Sequence, residues 1–196
     1  MRTAKTPFHL LGIFIIAILS TQITQGQTYH IENAASEVTI KGTSNLHDWE
    51  MVSEKAKGNL VATIDNNQLT KLSSLSFTVD AESLKSGKGG MDKNAYKALK
   101  TDKHKEIKFV MDQVKSLNCN QESTCDISMT GKLTIAGTTQ PIDLIVKAQV
   151  SGNQIIMTGA YDMKMTRYKV DPPKAMFGTI TTGDDLNISF KAVYTK

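Results

Sequence analysis

Residues 126–150 read DISMTGKLTIAGTTQPIDLIVKAQV, in which two alternating segments flank the turn-forming stretch AGTTQP. Apolar residues occupy nearly every second position of each segment. These positions are Ile127, Met129, Leu133 and Ile135 in the first segment and Ile142, Leu144, Val146, Ala148 and Val150 in the second. Because successive side chains of a strand point to opposite faces, the pattern predicts two half-buried antiparallel strands joined by a turn.

The same alternation recurs along the rest of the chain. Its positions are Leu75, Phe77, Val79 and Ala81; Leu186, Ile188, Phe190, Ala192 and Tyr194; Val38 and Ile40; Leu60, Ala62 and Ile64; Ile107, Phe109 and Met111; and residues from Ile155 to Met163. Roughly eight or nine one-sided strands follow from this pattern. Such strands must bury their apolar faces against one another, so the sequence predicts an all-β protein, either a closed barrel or a two-layer sandwich, and excludes a parallel α/β fold.

One segment is predicted to be helical. In MDKNAYKALK, residues 91–100, Met91, Ala95 and Leu99 are spaced by four, and the segment follows the glycine-rich turn SGKGG. The turn is not a Walker motif and lacks the third glycine of G-x-G-x-x-G. A solvated basic loop is the favoured interpretation, and a weak contact with a phosphate or pyrophosphate head is the other one.

The first residues resemble an export signal. Arg2 and Lys5 precede an apolar run at residues 10–19, and small Gly26 ends the polar stretch that follows. The run is too short to span a bilayer stably. We therefore expect a signal peptide at residues 1–26 and a single exported domain at residues 27–196, located in the periplasm or secreted.

Charge and cysteines limit the partners. Without Arg2 and Lys5 the stated net charge of +4 becomes about +2, which is too weak to indicate nucleic acid. Eight lysines nevertheless lie in residues 85–108. They form either a solvated face or a surface that is attracted to anionic head groups and membrane surfaces. Cys119 and Cys125 are the only cysteines, and in an exported protein they form either a disulfide bond or two free thiols.

The polar residues do not form a recognisable catalytic or metal site. The chain has no G-x-S-x-G elbow, and His30, His47 and His104 lack the spacing of metal ligands. His47 and Asp48 are adjacent, and adjacent side chains of a strand point to opposite faces. We expect no catalytic residues, no metal and no cofactor. The bulky apolar residues fit either a packed core or a pocket for a flexible ligand, and the pattern does not separate the two.

Four stretches resemble the YceI-like family of exported proteins, which is related to polyisoprenoid-binding members. They are SEVTIKGTSNLHDWEM, MDKNAYKALKTDKHKEIKF, GKLTIAGTTQPIDLIV and MTRYKVDPPKAMFGTITTGDDLNISF. The resemblance spans essentially all of residues 27–196, and its most specific part is GKLTIAGTTQPIDL. One departure is Lys105, where the family commonly has proline. The resemblance implies an eight-stranded antiparallel barrel of lipocalin-like form with one short helix, whose cavity holds an isoprenoid or another long amphiphile.

The predicted ligand-binding residues follow from this resemblance and from the apolar faces of the strands. The wall is predicted at Trp49, Phe77, Phe109, Leu133, Leu144, Met163, Phe177 and Phe190, and the polar end of the ligand at His47, Lys88 or Lys93. Quinone, polyprenol and fatty amide all fit this interpretation as ligands. The binding would serve transport, storage or stress protection. The oligomeric state stays open, and a homodimer is one alternative. The first alternative is a secreted interaction module with a filled core and a lysine-rich face for anionic partners. The others are an envelope hydrolase or isomerase that uses His47 and a packed accessory domain without a ligand.

Overall fold

The computed structural model describes residues 26–120 and 122–196. Apart from Gly26, the predicted signal peptide lies outside the described residues. The described chain forms twelve strands: β1 Gln27–Ile31, β2 Glu37–Ser44, β3 Trp49–Ser53, β4 Ala56–Lys57, β5 Asn59–Asp65, β6 Gln68–Asp80, β7 Glu106–Cys119, β8 Thr124–Ile135, β9 Thr138–Ser151, β10 Gln154–Lys164, β11 Lys174–Ala175 and β12 Ile180–Thr195. The α-helix α1 spans Gly89–Leu99, and no helix in this part of the chain combines the length and apolar character needed to cross a membrane.

Eight strands close into a ring, which confirms the predicted barrel. The order is β1-β5-β6-β7-β8-β9-β10-β12, and β12 pairs again with β1 through His30↔Thr195 and Ile31↔Tyr194. Every neighbouring pair is antiparallel. The remaining strands extend the wall at one end, where β2 pairs with β12 and then with β3, while β4 pairs with β6 and β11 with β12.

The hairpin β8–β9 has the alternation that its sequence predicted. Ala136 and Gly137 form its two-residue turn with φ values of 48° and 76°, the left-handed conformation that such hairpin turns require. The register is unbroken from Ile135↔Thr138 to Thr124↔Gln149. With no bulge to change the side that faces inward, every second residue of both strands points into the barrel.

The two ends of the barrel differ in packing. We define the upper end as the one that carries α1 and the lower end as the one that carries the turn between β7 and β8. The lower half is filled by fully buried side chains, which are Leu60, Leu69, Ile127, Met129 and Ile155. Cys119 and Cys125 form a disulfide bond at this end, so the structure has the bridged form of the two alternatives.

Helix α1 is fastened to the upper end by Tyr96. The Tyr96 hydroxyl donates to the carbonyl of Leu84 at 2.8 Å and accepts from Lys85 Nζ at 2.6 Å. Lys85 in turn forms two backbone hydrogen bonds with Val52 of β3, each 2.9 Å long. The helix begins two residues before the predicted segment and ends at Leu99, where Lys100 takes a left-handed conformation.

Candidate functional site

The upper half of the barrel encloses a cavity of about 880 Å³. This volume lies near the upper end of the range of about 300–1,000 Å³ that is usual for small-molecule sites. The cavity opens beside α1 and ends below at Val146, Met157 and Tyr194, where the packed half begins. The Tyr194 hydroxyl is buried and donates to the carbonyl of Ser76 at 3.3 Å, and burial raises its pKa above the ordinary tyrosine value.

Seven of the predicted wall residues surround this cavity, each from a different strand. They are Trp49 of β3, Phe77 of β6, Phe109 of β7, Leu133 of β8, Leu144 of β9, Met163 of β10 and Phe190 of β12. Because the strands follow one another around the upper end, the seven side chains are distributed around the circumference. The rings of Phe77 and Phe190 lie 6.1 Å apart between centroids, within the usual range of aromatic pairs.

Phe177, the eighth predicted wall residue, lies elsewhere. It borders the opening of the cavity, but its side chain is fully exposed, with a relative accessibility of 111%. Phe177 sits in a short left-handed turn with a positive φ of 57°, and its side chain turns away from the barrel. Phe177 therefore lies at the rim of the cavity, and its contact with a ligand stays a prediction.

The predicted polar residues lie at the mouth. His47, Lys88 and Lys93 all line the opening, together with Lys174, which was not predicted from the sequence. Among the described residues that line the cavity, none is Asp or Glu. The opening is therefore cationic around an apolar interior.

His47 does not form a catalytic pair with Asp48. Its Nδ1 lies 2.7 Å from the backbone carbonyl oxygen of Asp48, and its own carbonyl accepts hydrogen bonds from Ser44 Oγ at 2.7 Å and from Ser44 N at 3.1 Å. These contacts shape the turn between β2 and β3. Within residues 26–120 and 122–196 no group of three or more His, Cys, Asp or Glu side chains could hold a metal ion.

Three of the wall aromatics rest on glycines of neighbouring strands. A Cβ on Gly42 would lie 2.3 Å from the ring of Trp49, one on Gly131 would lie 2.5 Å from the ring of Phe109, and one on Gly159 would lie 2.8 Å from the ring of Phe190. These glycines interrupt otherwise alternating strands, and a glycine inside a strand is a sequence signal for close approach of another group. Their lack of a side chain lets the rings settle on the sheet.

The helix supplies one side of the cavity. Met91, Asn94, Ala95 and Ala98 line the cavity, at the spacing of neighbouring helical turns. Of these, Asn94 and Ala98 were not predicted. The helical periodicity identified the face, but the position of the helix against the barrel depends on the contacts of Tyr96.

The basic loop before α1 is ordered by Asp92. The Asp92 Oδ1 atom accepts hydrogen bonds from Ser86 N at 2.8 Å and from Ser86 Oγ at 2.6 Å. Burial raises the pKa of the Asp92 carboxyl, but the two Ser86 hydrogen bonds and the charge of Lys85 more than offset this effect and leave the pKa below its ordinary value. The carboxylate thus holds the loop that carries Lys88.

A closed ring of eight antiparallel strands around an apolar cavity open at one end defines a lipocalin-like barrel protein. The family model of the YceI-like domain matches residues 29–194, and the chain therefore belongs to the YceI-like family. This confirms the resemblance drawn from the four sequence stretches. Among curated proteins, no sequence matches the chain.

Solved structures share the fold at low identity. BcnA of Burkholderia cenocepacia is 18% identical with a TM-score of 0.62, and the match covers 83% of this chain and 98% of that one. A polyisoprenoid binding domain from Saccharophagus degradans, implicated in plant cell wall breakdown, is 12% identical with a TM-score of 0.64, covering 85% and 97%. The YCEI protein of Campylobacter jejuni is 18% identical with a TM-score of 0.54, covering 72% and 84%.

Proposed function

We propose that this protein is an exported, non-enzymatic carrier that encloses the apolar chain of a long amphiphile in its barrel. The observation that carries the proposal is the cavity of about 880 Å³, lined by apolar side chains from nine strands and from α1. The proposed mature domain comprises residues 27–196. It is released into the periplasm or the medium after its signal peptide is removed. The Saccharophagus degradans domain with the same fold is a polyisoprenoid binding domain, which supports an isoprenoid as the ligand class.

Affinity in such a cavity would come from chain length. Each methylene group moved from water into an apolar environment contributes about 0.8 kcal/mol, so a long chain gains several times what a short one does. Methionine side chains at the wall, such as Met157 and Met163, adapt to an irregular chain better than branched residues do. The cavity is therefore suited to chains rather than to rigid, strongly polar compounds.

The polar end of the ligand would lie at the mouth, within reach of His47, Lys88 and Lys93. These side chains are exposed and line the opening. A quinone, an alcohol or an amide could remain hydrated there while its chain occupies the interior. The cavity argues against the alternative of a module with a filled core, although the lower half of the barrel is filled.

Organic extraction of the protein purified from its native host, followed by mass spectrometry, tests the proposal. We expect about one amphiphile per protein chain. Phe109→Asp places a charge in the wall, and Leu144→Trp fills space without adding charge, so both variants should lose most of the bound lipid while they retain the β-sheet spectrum in circular dichroism. Ile145→Asp on the outer face of the same strand as Leu144 is the matched control. Unchanged lipid recovery from folded Phe109→Asp and Leu144→Trp protein would contradict the proposed site.

A further inference from the structure

Large apolar side chains are exposed at the cavity mouth. Leu46, Met176 and Phe177 have relative accessibilities of 66%, 68% and 111%. Among the described residues only two other large apolar side chains are exposed, Val110 and Ile145, and each lies on a barrel strand. We call Leu46, Met176 and Phe177 the apolar rim. Single apolar residues scattered over a surface are normal. A cluster of three beside one opening instead indicates an interaction site.

The apolar rim comes from two loops that are joined by Asn45. The Asn45 Nδ2 atom donates to the carbonyl of Thr179 at 2.9 Å, and its Oδ1 atom accepts from Thr181 N at 2.9 Å. The Asn45 N–H also donates to the carbonyl of Thr181 at 3.1 Å. The loop that carries Leu46 and the loop that carries Met176 and Phe177 are therefore parts of one platform.

The backbone of the platform holds the apolar side chains in a costly conformation. Met176 and Phe177 have φ values of 50° and 57°, in a left-handed region that is uncommon for residues with side chains. The turn is closed by a hydrogen bond from Thr179 N to the carbonyl of Met176 at 3.2 Å and by one from Thr182 N to the carbonyl of Pro173 at 3.1 Å. A strained turn that exposes two bulky apolar residues is typical of a functional site rather than of a core.

Lysines line the opening beside the apolar rim. Lys88, Lys93 and Lys174 line the same opening as Met176 and Phe177. Asp48, the carboxylate nearest in sequence to Leu46, lines a separate depression with Trp49 on the outer wall. The surface around the opening therefore combines apolar side chains with lysines, the two features by which proteins bind at the interface of an anionic bilayer.

We propose that the apolar rim docks on an anionic lipid bilayer, with Phe177, Met176 and Leu46 entering the interface and the lysines contacting the head groups. The inference rests on the proposed function, because an amphiphile held in the cavity has to leave or enter a lipid phase through this opening. A second copy is a poorer occupant, since two such surfaces face to face would bring the lysines of both chains together. Docking would place the cavity mouth directly against the bilayer.

Flotation with vesicles of phosphatidylcholine, with and without phosphatidylglycerol, tests the docking. We expect the protein to float with the anionic vesicles and much less with the neutral ones. Removing one large buried apolar side chain weakens partitioning about tenfold or more, so Met176→Ser/Phe177→Ser should bind anionic vesicles at least about tenfold more weakly. Ile145→Ser, with a similarly exposed side chain on the barrel wall, should bind like the unmodified protein.

Charge reversal tests the second part of the surface. Lys88→Glu/Lys93→Glu should abolish the preference for anionic vesicles, whereas Lys71→Glu, on β6 toward the lower end, should leave it nearly unchanged. Added salt should weaken the binding of the unmodified protein. Equal binding by the Lys88→Glu/Lys93→Glu and Lys71→Glu variants would overturn the proposed orientation.

Leu46→Ser separates docking from the proposed function, because Leu46 does not line the cavity. This variant should bind anionic vesicles about tenfold more weakly and still yield the bound amphiphile on extraction. Unmodified protein that contains the amphiphile but does not float with anionic vesicles would overturn docking alone. Flotation of protein that contains no amphiphile would support docking and contradict the carrier. A rim variant that changes only the oligomeric state would assign the surface to a second copy and overturn docking.

Discussion

The indole of Trp49 packs directly against Gly42, its cross-strand partner in the β2–β3 hairpin. A Cβ on Gly42 would lie 2.3 Å from Trp49 Cζ2, and the indole Nε1 donates to the carbonyl of Thr43 at 2.9 Å. The absence of a side chain at Gly42 therefore fixes the position of this ring at the cavity wall. The same relationship links Gly131 with Phe109 and Gly159 with Phe190, so glycines of the sheet position three of the wall aromatics.

Gly42→Ala should displace the indole of Trp49, because the added methyl group occupies the place of the ring. Trp49 is the only tryptophan of the chain, so its fluorescence spectrum reports the displacement directly. We expect a shifted emission maximum and a loss of stability of about 1–3 kcal/mol, the usual cost of overpacking. Gly89→Ala is the matched control, since a Cβ on Gly89 would meet nothing within 4 Å. Identical spectra for both variants would show that the ring does not rest on Gly42.

The division of the interior into a packed and a hollow half can be tested on a single strand. Ile127 and Leu133 both point inward from β8, but Ile127 lies in the packed half and Leu133 in the cavity wall. Ile127→Phe should cost about 1–3 kcal/mol, whereas Leu133→Phe should cost less than about 1 kcal/mol because the cavity has space for the larger ring. Urea unfolding of the two variants measures the difference, and equal losses would contradict the division.

The disulfide bond should stabilise the lower end without affecting the cavity. Cys119 and Cys125 are separated by six positions, and closing so small a loop stabilises a fold by about 2 kcal/mol in the chain-entropy account. Cys119→Ala/Cys125→Ala should therefore lose about 2 kcal/mol of unfolding free energy, as measured by urea unfolding, and retain the proposed amphiphile. Loss of the amphiphile from the folded variant would show that the two ends of the barrel are coupled.

Asp92 should make stability depend on pH in the acid range. The pKa of its carboxyl is lowered in the folded protein, so its contribution is fully present above the ordinary carboxyl value, near about 4, and is lost as the pH falls through the lowered value. Asp92→Asn should be less stable than the unmodified protein at neutral pH, and the difference should shrink below about pH 4. Asp102→Asn, an exposed change in the turn after α1, is the control in urea unfolding at each pH. A difference that is constant from neutral to acid pH would contradict the role of the Asp92 charge.

Much of the barrel could be predicted because its strands are buried on one face only. The alternation in residues 126–150 holds through both strands, and its phase identified Leu133 and Leu144 as inward-facing. Six of the seven wall residues that lie on strands belong to such alternating segments, since the side that a residue faces is a local property of a strand. The alternation is interrupted where a β-bulge occurs. In β7 the next inward-facing residue after Met111 is Val114, three positions on instead of two, and no sequence feature marks this change.

Other features depend on contacts between distant residues. The ring closes through the pairing of Ile31 with Tyr194, which no local sequence pattern predicts. The alternation alone is therefore compatible with a barrel and with a sandwich, and only the family resemblance favoured the barrel. The alternation also does not separate a filled interior from a hollow one, because both need apolar side chains. The outward direction of Phe177 depends on left-handed backbone conformations that the proline-bearing loop does not reveal.

Native mass spectrometry of protein purified from its own host tests the central claim most directly. The claim is that the cavity beneath α1 holds the chain of one amphiphile. We predict a mass increment of one amphiphile per protein chain that is retained by Ile145→Asp and lost from folded Phe109→Asp. Natively purified protein with only the mass of its polypeptide, or with the same increment in both variants, would contradict the claim.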